Sequence, residues 1–128
     1  MDTNSILLVD DEFCIVEALA EVLQREGYSV RTAPNGQRAL EELKRAPAAL
    51  ILLDYMMPVM DGLQALAKIR ADAGWQKIPV VFMTAAALPD TASGWDALLR
   101  KPFEATALLK VLRRLLPPPG SPNVTAAT

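Results

Sequence analysis

The chain contains no histidine and only one cysteine, Cys14, among its 128 residues. It therefore has no histidine that could act as a general base, bind a metal or carry a phosphoryl group, and it cannot form an internal disulfide. A lone cysteine fits a reducing compartment, so we expect a cytoplasmic protein.

A basic excess and long apolar runs are also missing. The 13 basic and 15 acidic residues leave a net charge of −2, which argues against a nucleic-acid or anionic-membrane surface. The apolar runs are short and broken by charges, so none should span a bilayer, and the polar N-terminus lacks the apolar part of a signal peptide. Apolar residues nevertheless make up 52% of the chain, which is enough for one domain with a single core.

Short apolar runs alternate along the chain with helical patterns. Three of these runs are continuous, which is typical of strands buried on both faces of a parallel sheet. The predicted strands are residues 6–9, 29–33, 50–53, 79–83 and 97–99. The predicted helices are residues 13–26, capped by Gly27, and residues 36–45, 62–71 and 104–116.

This alternation predicts an α/β fold with right-handed crossovers. With five strands, we expect a flavodoxin-like, doubly wound parallel sheet in the strand order 2-1-3-4-5. We expect one domain at residues 1–116 and a flexible, proline-rich tail at 117–128.

Polar side chains follow the carboxyl ends of four predicted strands. Asp10 and Asp11 follow the first strand, Asp54 the third, Thr84 the fourth and Lys101 the fifth. In the order 2-1-3-4-5 these strands are neighbours about 4.8 Å apart, so the side chains should gather at the switch point of the sheet. We expect Asp54 to be exposed at that edge and free to react.

This set of side chains is suited to bind a phosphoryl group. Three crowded carboxylates repel one another, and Mg²⁺ is a suitable remedy because it binds few carboxylates and keeps several waters. A lysine and a threonine nearby would complete a receptor for a phosphoryl group that an aspartate attacks in line. Each residue alone is more simply a turn, a cap or part of an ordinary loop, but their shared position favours the site.

The same residues stand in four motifs: VDDE at 9–12, DYMMPVMDG at 54–62, MTA at 83–85 and KPF at 101–103. Together they make residues 5–116 resemble the receiver (phosphoacceptor) domain of bacterial two-component response regulators, here as a single domain. The resemblance implies that Asp54 accepts a phosphoryl group from a histidine kinase or phosphotransfer protein, with Mg²⁺ as cofactor. Phosphorylation would then switch contacts with an unknown downstream protein, and a phosphorylation-dependent homodimer is one form that the switch could take.

The resemblance also assigns roles to single residues. The metal ligands would be Asp10, Asp11, Asp54 and the backbone carbonyl of Met56. Thr84 and Lys101 would contact the phosphoryl group, and Thr84 with Leu98 would occupy the switch positions. The peptide bond before Pro102 would be cis. Independently of the resemblance, the sequence predicts Pro58, Asp61 and Gly62 as turn residues, with Asp61 and Gly62 forming a cap and turn before the third helix.

The chain departs from the family pattern in the segment before Lys101. Only 16 residues separate Thr84 from Lys101, about one and a half helical turns fewer than in the receivers that it resembles. We therefore expect the fourth helix to be shortened or absent. Leu98 stands where the family usually has an aromatic switch residue, and Trp95 is either its substitute or, more simply, a cover for the core left open.

Two other hypotheses compete with a phosphorylatable receiver, which would be no conventional enzyme but would catalyse its own phosphorylation and dephosphorylation. One is an interaction module in which phosphorylation is vestigial. The other is a phosphatase of the dehalogenase type, but its DxDxT pattern is replaced by DYMMP at 54–58. Met56 and Ala86 are apolar where the family tunes phosphoryl lifetime with polar groups, so we expect slow self-dephosphorylation, and a half-life of seconds would contradict this.

Overall fold

The computed structural model describes residues 4–117, so the predicted tail lies outside the described residues from residue 118 onward. Each predicted strand and helix is present, and its ends agree with the prediction to within one residue. The strands are β1 (Ser5–Val9), β2 (Ser29–Ala33), β3 (Leu50–Asp54), β4 (Val80–Thr84) and β5 (Ala97–Arg100). The helices are α1 (Phe13–Arg25), α2 (Gly36–Arg45), α3 (Gly62–Ala71) and α4 (Ala105–Leu115).

The five strands form one parallel sheet in the order β2-β1-β3-β4-β5, which confirms the predicted topology. Its register places Val9 beside Leu53 and Asp54 beside Met83. The carboxyl ends of β1, β3 and β4 therefore lie together at one edge, as a doubly wound sheet requires.

Burial explains why three of the strands lie at the centre of the sheet. Every residue of β1, β3 and β4 is buried, because helices cover both faces of a parallel sheet. Alternate side chains enter opposite cores, so that Ile51 lies in one and Leu52 in the other. Complete burial of each such side chain contributes about 1.5–3 kcal/mol, so these continuous apolar runs fix the centre of the sheet.

The predicted start of the fourth strand is wrong by one residue. β4 begins at Val80 and not at Pro79. Proline has no N–H to donate to a neighbouring strand. Its carbonyl still accepts a hydrogen bond from the N–H of Ile51 at 3.0 Å, so Pro79 takes part in strand pairing only as an acceptor.

The connection between β4 and β5, residues 85–96, contains no helix, which confirms the expected loss of the fourth helix of the family. The Trp95 ring stacks on Phe82 with centroids 5.4 Å apart and ring planes 20° from parallel. Trp95 thus packs, partly buried, against the core that contains Phe82. None of the helices within residues 4–117 is long and apolar enough to cross a membrane.

Candidate functional site

The strand edge brings the three predicted carboxylates together. Asp10, Asp11 and Asp54 offer oxygens that all lie within 4.8 Å of one another. Asp10 and Asp54 are buried, whereas Asp11 is exposed. The expectation that Asp54 would be exposed is wrong, because β3 runs one residue further than predicted and includes Asp54, which is 5% exposed.

Lys101 extends into this cluster of carboxylates from the end of β5. Its Nζ lies 2.8 Å from Asp10 Oδ2 and 3.0 Å from Asp54 Oδ1, and its side chain is 13% exposed. The Lys101 N–H donates to the Thr84 carbonyl at 2.9 Å, which ties the lysine backbone to β4. The bond from Lys101 to Pro102 is cis, the isomer that the family resemblance implies.

Burial and neighbouring charges both shift the pKa values of Asp54 and Lys101. Burial raises the pKa of Asp54, and the charge of Asp10 adds to the rise although the hydrogen bond to Lys101 opposes it. Burial lowers the pKa of Lys101, but its bonds to Asp10 and Asp54 outweigh this effect and the net pKa is raised. One ammonium is therefore shared by two buried carboxylates, and a divalent cation would relieve their remaining repulsion.

Thr84 is the last residue of β4, and it is almost completely buried. Its Oγ1 accepts a hydrogen bond from the Ala86 N–H and donates one to the Ala86 carbonyl, both at 2.9 Å. The hydroxyl has one proton, and this arrangement commits it to Ala86.

The connection between β3 and α3 keeps Asp54 in place. The Gly62 N–H donates to the Tyr55 carbonyl at 2.7 Å. A side chain at position 62 would overlap the backbone oxygen of Asp54. Asp61 caps α3 through a reciprocal pair of hydrogen bonds with Gln64. Because the chain returns so close to the end of β3, only glycine fits at position 62.

Other predicted positions lie around this loop or on β5. Pro58 accepts a hydrogen bond from Met60 N–H at 2.7 Å, across Val59, whose φ of 70° is left-handed. Met56 is 61% exposed at the rim of the site. Leu98 pairs with Phe82 in register and packs, partly buried, against the core that contains Phe82.

Sequence reasoning missed two arginines that hold residues 85–96. Arg100 Nη1 donates to the Ala86 carbonyl at 3.2 Å. Arg70 donates to the carbonyls of Gly94, Gln76 and Ile78 at 2.7–2.8 Å and to Asp96 Oδ2 at 2.9 Å. Most of these acceptors are backbone carbonyls, which no sequence pattern identifies, and a basic residue late in a helix suggests only a favourable helix dipole.

A doubly wound sheet with acids, a threonine and a lysine at its switch point is the arrangement of receiver domains. The sequence profile of the response regulator receiver domain matches residues 6–113. The chain belongs to this family, the receiver domains of two-component response regulators.

The relatives found by sequence are longer proteins. The chain is 40% identical over 118 residues to the response regulator Rre1 of Synechocystis sp., covering 88% of this chain and 51% of Rre1. It is 34% identical over 116 residues to the probable transcriptional regulator ycf29 of Pyropia yezoensis, covering 87% and 52%. The chain thus spans about half the length of these relatives.

Solved structures share the fold at TM-scores near 0.8. TrrA of Thermotoga maritima, a response regulator in complex with Mg²⁺ and BeF, is 34% identical at a TM-score of 0.81, covering 88% of this chain and 99% of TrrA. The receiver domain of the sensor histidine kinase PA1611 of Pseudomonas aeruginosa has magnesium coordinated in its active-site cleft. It is 30% identical at a TM-score of 0.81, covering 88% and 96%. The carboxylates at the strand edge of this chain fit the same cofactor, Mg²⁺, which prefers such oxygen ligands.

Proposed function

We propose that this receiver accepts a phosphoryl group on Asp54. The ammonium of Lys101, 3.0 Å from Asp54 Oδ1 in a group of three carboxylates, is the observation that carries the proposal. The proposed Mg²⁺ ligands are Asp10, Asp11, Asp54 and the backbone carbonyl of Met56. When bound, the ion would add positive charge beside the phosphoryl oxygens.

The transfer is a displacement at phosphorus. A carboxylate oxygen of Asp54 forms the new P–O bond, while the P–N bond of a phosphohistidine, or the P–O bond of a small phosphodonor, breaks. The electron pair of that bond leaves with the donor group. The raised pKa of Lys101 keeps its ammonium protonated, so it can neutralise phosphoryl oxygens during the transfer. Thr84 is the proposed hydroxyl donor to the phosphoryl group.

The 128 residues contain no histidine, so the proposed phosphodonor is a group outside them. We assign that role to a histidine kinase or phosphotransfer protein in the cytoplasm, and the output to contacts with a downstream protein or a second copy of the chain. The balanced charge offers no basis for a nucleic-acid or membrane partner. The chain would catalyse its own phosphorylation and its slow dephosphorylation, since Met56 and Ala86 offer no polar side chain to an attacking water. We propose residues 1–116 as the receiver domain.

Phosphoryl incorporation from acetyl phosphate and Mg²⁺, measured by intact mass, tests the proposal. We expect one added phosphoryl group on the wild type, none on Asp54→Asn, and none when a chelator removes the metal. Asp61→Asn is the matched control, because Asp61 lies in the same loop but caps α3, and it should still be phosphorylated. No addition to the wild type, or equal addition to Asp54→Asn, would refute the assignment.

An interaction module in which phosphorylation is vestigial is a second candidate, because the segment that usually responds to phosphorylation in receivers is unusual here. Residues 85–96 lack a helix, and Leu98 packs into the core. This alternative predicts that phosphorylated and unphosphorylated chains show the same amide exchange and the same affinity for a partner. A change in either quantity would exclude it.

A further inference from the structure

One backbone carbonyl joins the phosphoryl site to the exposed end of β5. The Ala86 carbonyl accepts from Thr84 Oγ1 at 2.9 Å and from Arg100 Nη1 at 3.2 Å. Thr84 and Arg100 are partners in the register of β4 and β5, so the two donors approach Ala86 from adjacent strands. The same oxygen thus contacts a residue of the site and a residue on the surface.

The single proton of the Thr84 hydroxyl creates a competition. In this structure the Ala86 carbonyl takes that proton. A phosphoryl oxygen on Asp54 would need the same proton, so Thr84 would have to leave the Ala86 carbonyl. Leaving a partly buried carbonyl without a donor costs free energy, so this change is unfavourable unless another donor remains.

Arg100 is suited to be that second donor. It makes no ion pair among residues 4–117, and the Ala86 carbonyl is the hydrogen-bond acceptor that the structure shows for it. A guanidinium forms charge-assisted hydrogen bonds that are roughly twice as strong as neutral ones. Arg100 can therefore keep the Ala86 carbonyl satisfied while the Thr84 hydroxyl turns away.

We propose that Arg100 is a positioning residue of the phosphoryl switch, which holds the Ala86 carbonyl and so frees the Thr84 hydroxyl for the phosphoryl group. This inference rests on the proposed function of Asp54. It gives the chain a route from the site to the start of residues 85–96 that needs no aromatic ring at position 98. The route runs from Thr84 through the Ala86 carbonyl to an exposed guanidinium.

A titration with beryllofluoride, which stands in for the phosphoryl group, tests the proposal in the presence of saturating Mg²⁺. Isothermal titration calorimetry provides the readout, because it measures binding wherever in the chain the response occurs. We expect Arg100→Ala to weaken beryllofluoride binding by about threefold to tenfold, which is the worth of one hydrogen bond. Arg100→Lys, which keeps one cationic donor, should recover part of the loss.

Two further variants separate positioning from a general loss of charge or fold. Arg25→Ala removes an exposed arginine at the end of α1 and should bind beryllofluoride like the wild type. In a Thr84→Ala background, Arg100→Ala should have no added effect, because there is no hydroxyl left to free. The affinity for Mg²⁺ alone, and the melting temperature, should be nearly the same with and without the Arg100 substitution.

The outcomes distinguish this inference from the proposed function. If the wild type binds beryllofluoride but Arg100→Ala binds it equally well, the role of Arg100 is refuted and Asp54 remains the acceptor. An equal loss in the Thr84→Ala background would also refute it, since the effect would then not pass through the hydroxyl. If the wild type neither binds beryllofluoride nor gains a phosphoryl group, the proposed function itself has failed.

Discussion

Two connections at the same edge of the sheet are held in different ways. Residues 55–61, between β3 and α3, are fixed by backbone contacts at several points: Gly62 N–H bonds to Tyr55, and Gly36 N–H bonds to the Met60 carbonyl at 2.9 Å. Residues 85–96, between β4 and β5, are held mainly by side chains, those of Thr84 and Arg100 at one end and that of Arg70 at the other. A backbone bond from the Asp96 N–H to the Val80 carbonyl, at 2.8 Å, adds to the hold at the second end.

This difference separates the residues that would accept the phosphoryl group from the segment that would respond to it. The Gly62 N–H donates to the Tyr55 carbonyl where a side chain would overlap the Asp54 backbone, so the first connection packs closely against the end of β3. A side-chain donor can turn to another acceptor when a stronger one is present. The Thr84 hydroxyl would do so if a phosphoryl group were on Asp54. The second connection is therefore the one that can respond, although it has no helix.

The largest effect should follow a side chain at position 62. Gly62→Ala forces a methyl group into the backbone of Asp54, and we expect a loss of about 3 kcal/mol or more in the free energy of unfolding. Urea denaturation measures this loss. Gly74→Ala, which lies in the turn after α3, is the control and should change stability by less than about 1 kcal/mol. Similar losses in both variants would show that the first connection is not specially constrained.

A smaller loss should follow removal of the arginine that anchors the far end of residues 85–96. Arg70 is 24% exposed and makes four hydrogen bonds, so Arg70→Ala should cost about 2–3 kcal/mol in the free energy of unfolding. The exposed Arg25→Ala should cost less than about 0.5 kcal/mol. Amide exchange should quicken near Gly94 in the Arg70 variant. A loss no larger than that of the control would mean that other contacts hold this end.

The smallest effect concerns charge in the site and has the opposite sign. The pKa of Asp54 is raised above its ordinary value of 3.8 because the carboxyl is buried. Its ionisation therefore destabilises the folded state as the pH rises through the folded-state pKa, and below pH 3.8 this cost is absent. Without metal, Asp54→Asn should raise the melting temperature by a few degrees at pH 7.

This gain should shrink as the pH falls towards 3.8, because the wild-type carboxyl then becomes protonated in both states. Added Mg²⁺ should stabilise the wild type more than the variant, since the variant has lost a ligand. Thermal melting at pH 7 and pH 4, with chelator or Mg²⁺, provides the measurement. A lower melting temperature for Asp54→Asn at pH 7 with chelator would contradict the direction of the pKa shift.

The residues of the site were far more predictable from the sequence than the contacts that hold residues 85–96. Continuous apolar runs reveal buried parallel strands, and the topology then brings Asp10, Asp54 and Lys101 to one edge without any knowledge of side-chain contacts. The burial of Asp54 was missed because it depends on one additional residue in β3. The contacts of Arg70 and Arg100 were missed because most of their acceptors are backbone carbonyls, whose positions only the folded chain defines.

Residue-resolved amide hydrogen exchange, with and without Mg²⁺ and beryllofluoride, tests the central claim most directly. The account predicts a clear change in exchange at residues 85–93, beginning at Ala86. Residues 55–61 should be slowed only by the ligand that they help to hold, and residues 94–96 should stay anchored by Arg70. Unchanged exchange throughout residues 85–93, in a chain that demonstrably binds beryllofluoride, would contradict the account and favour vestigial phosphorylation.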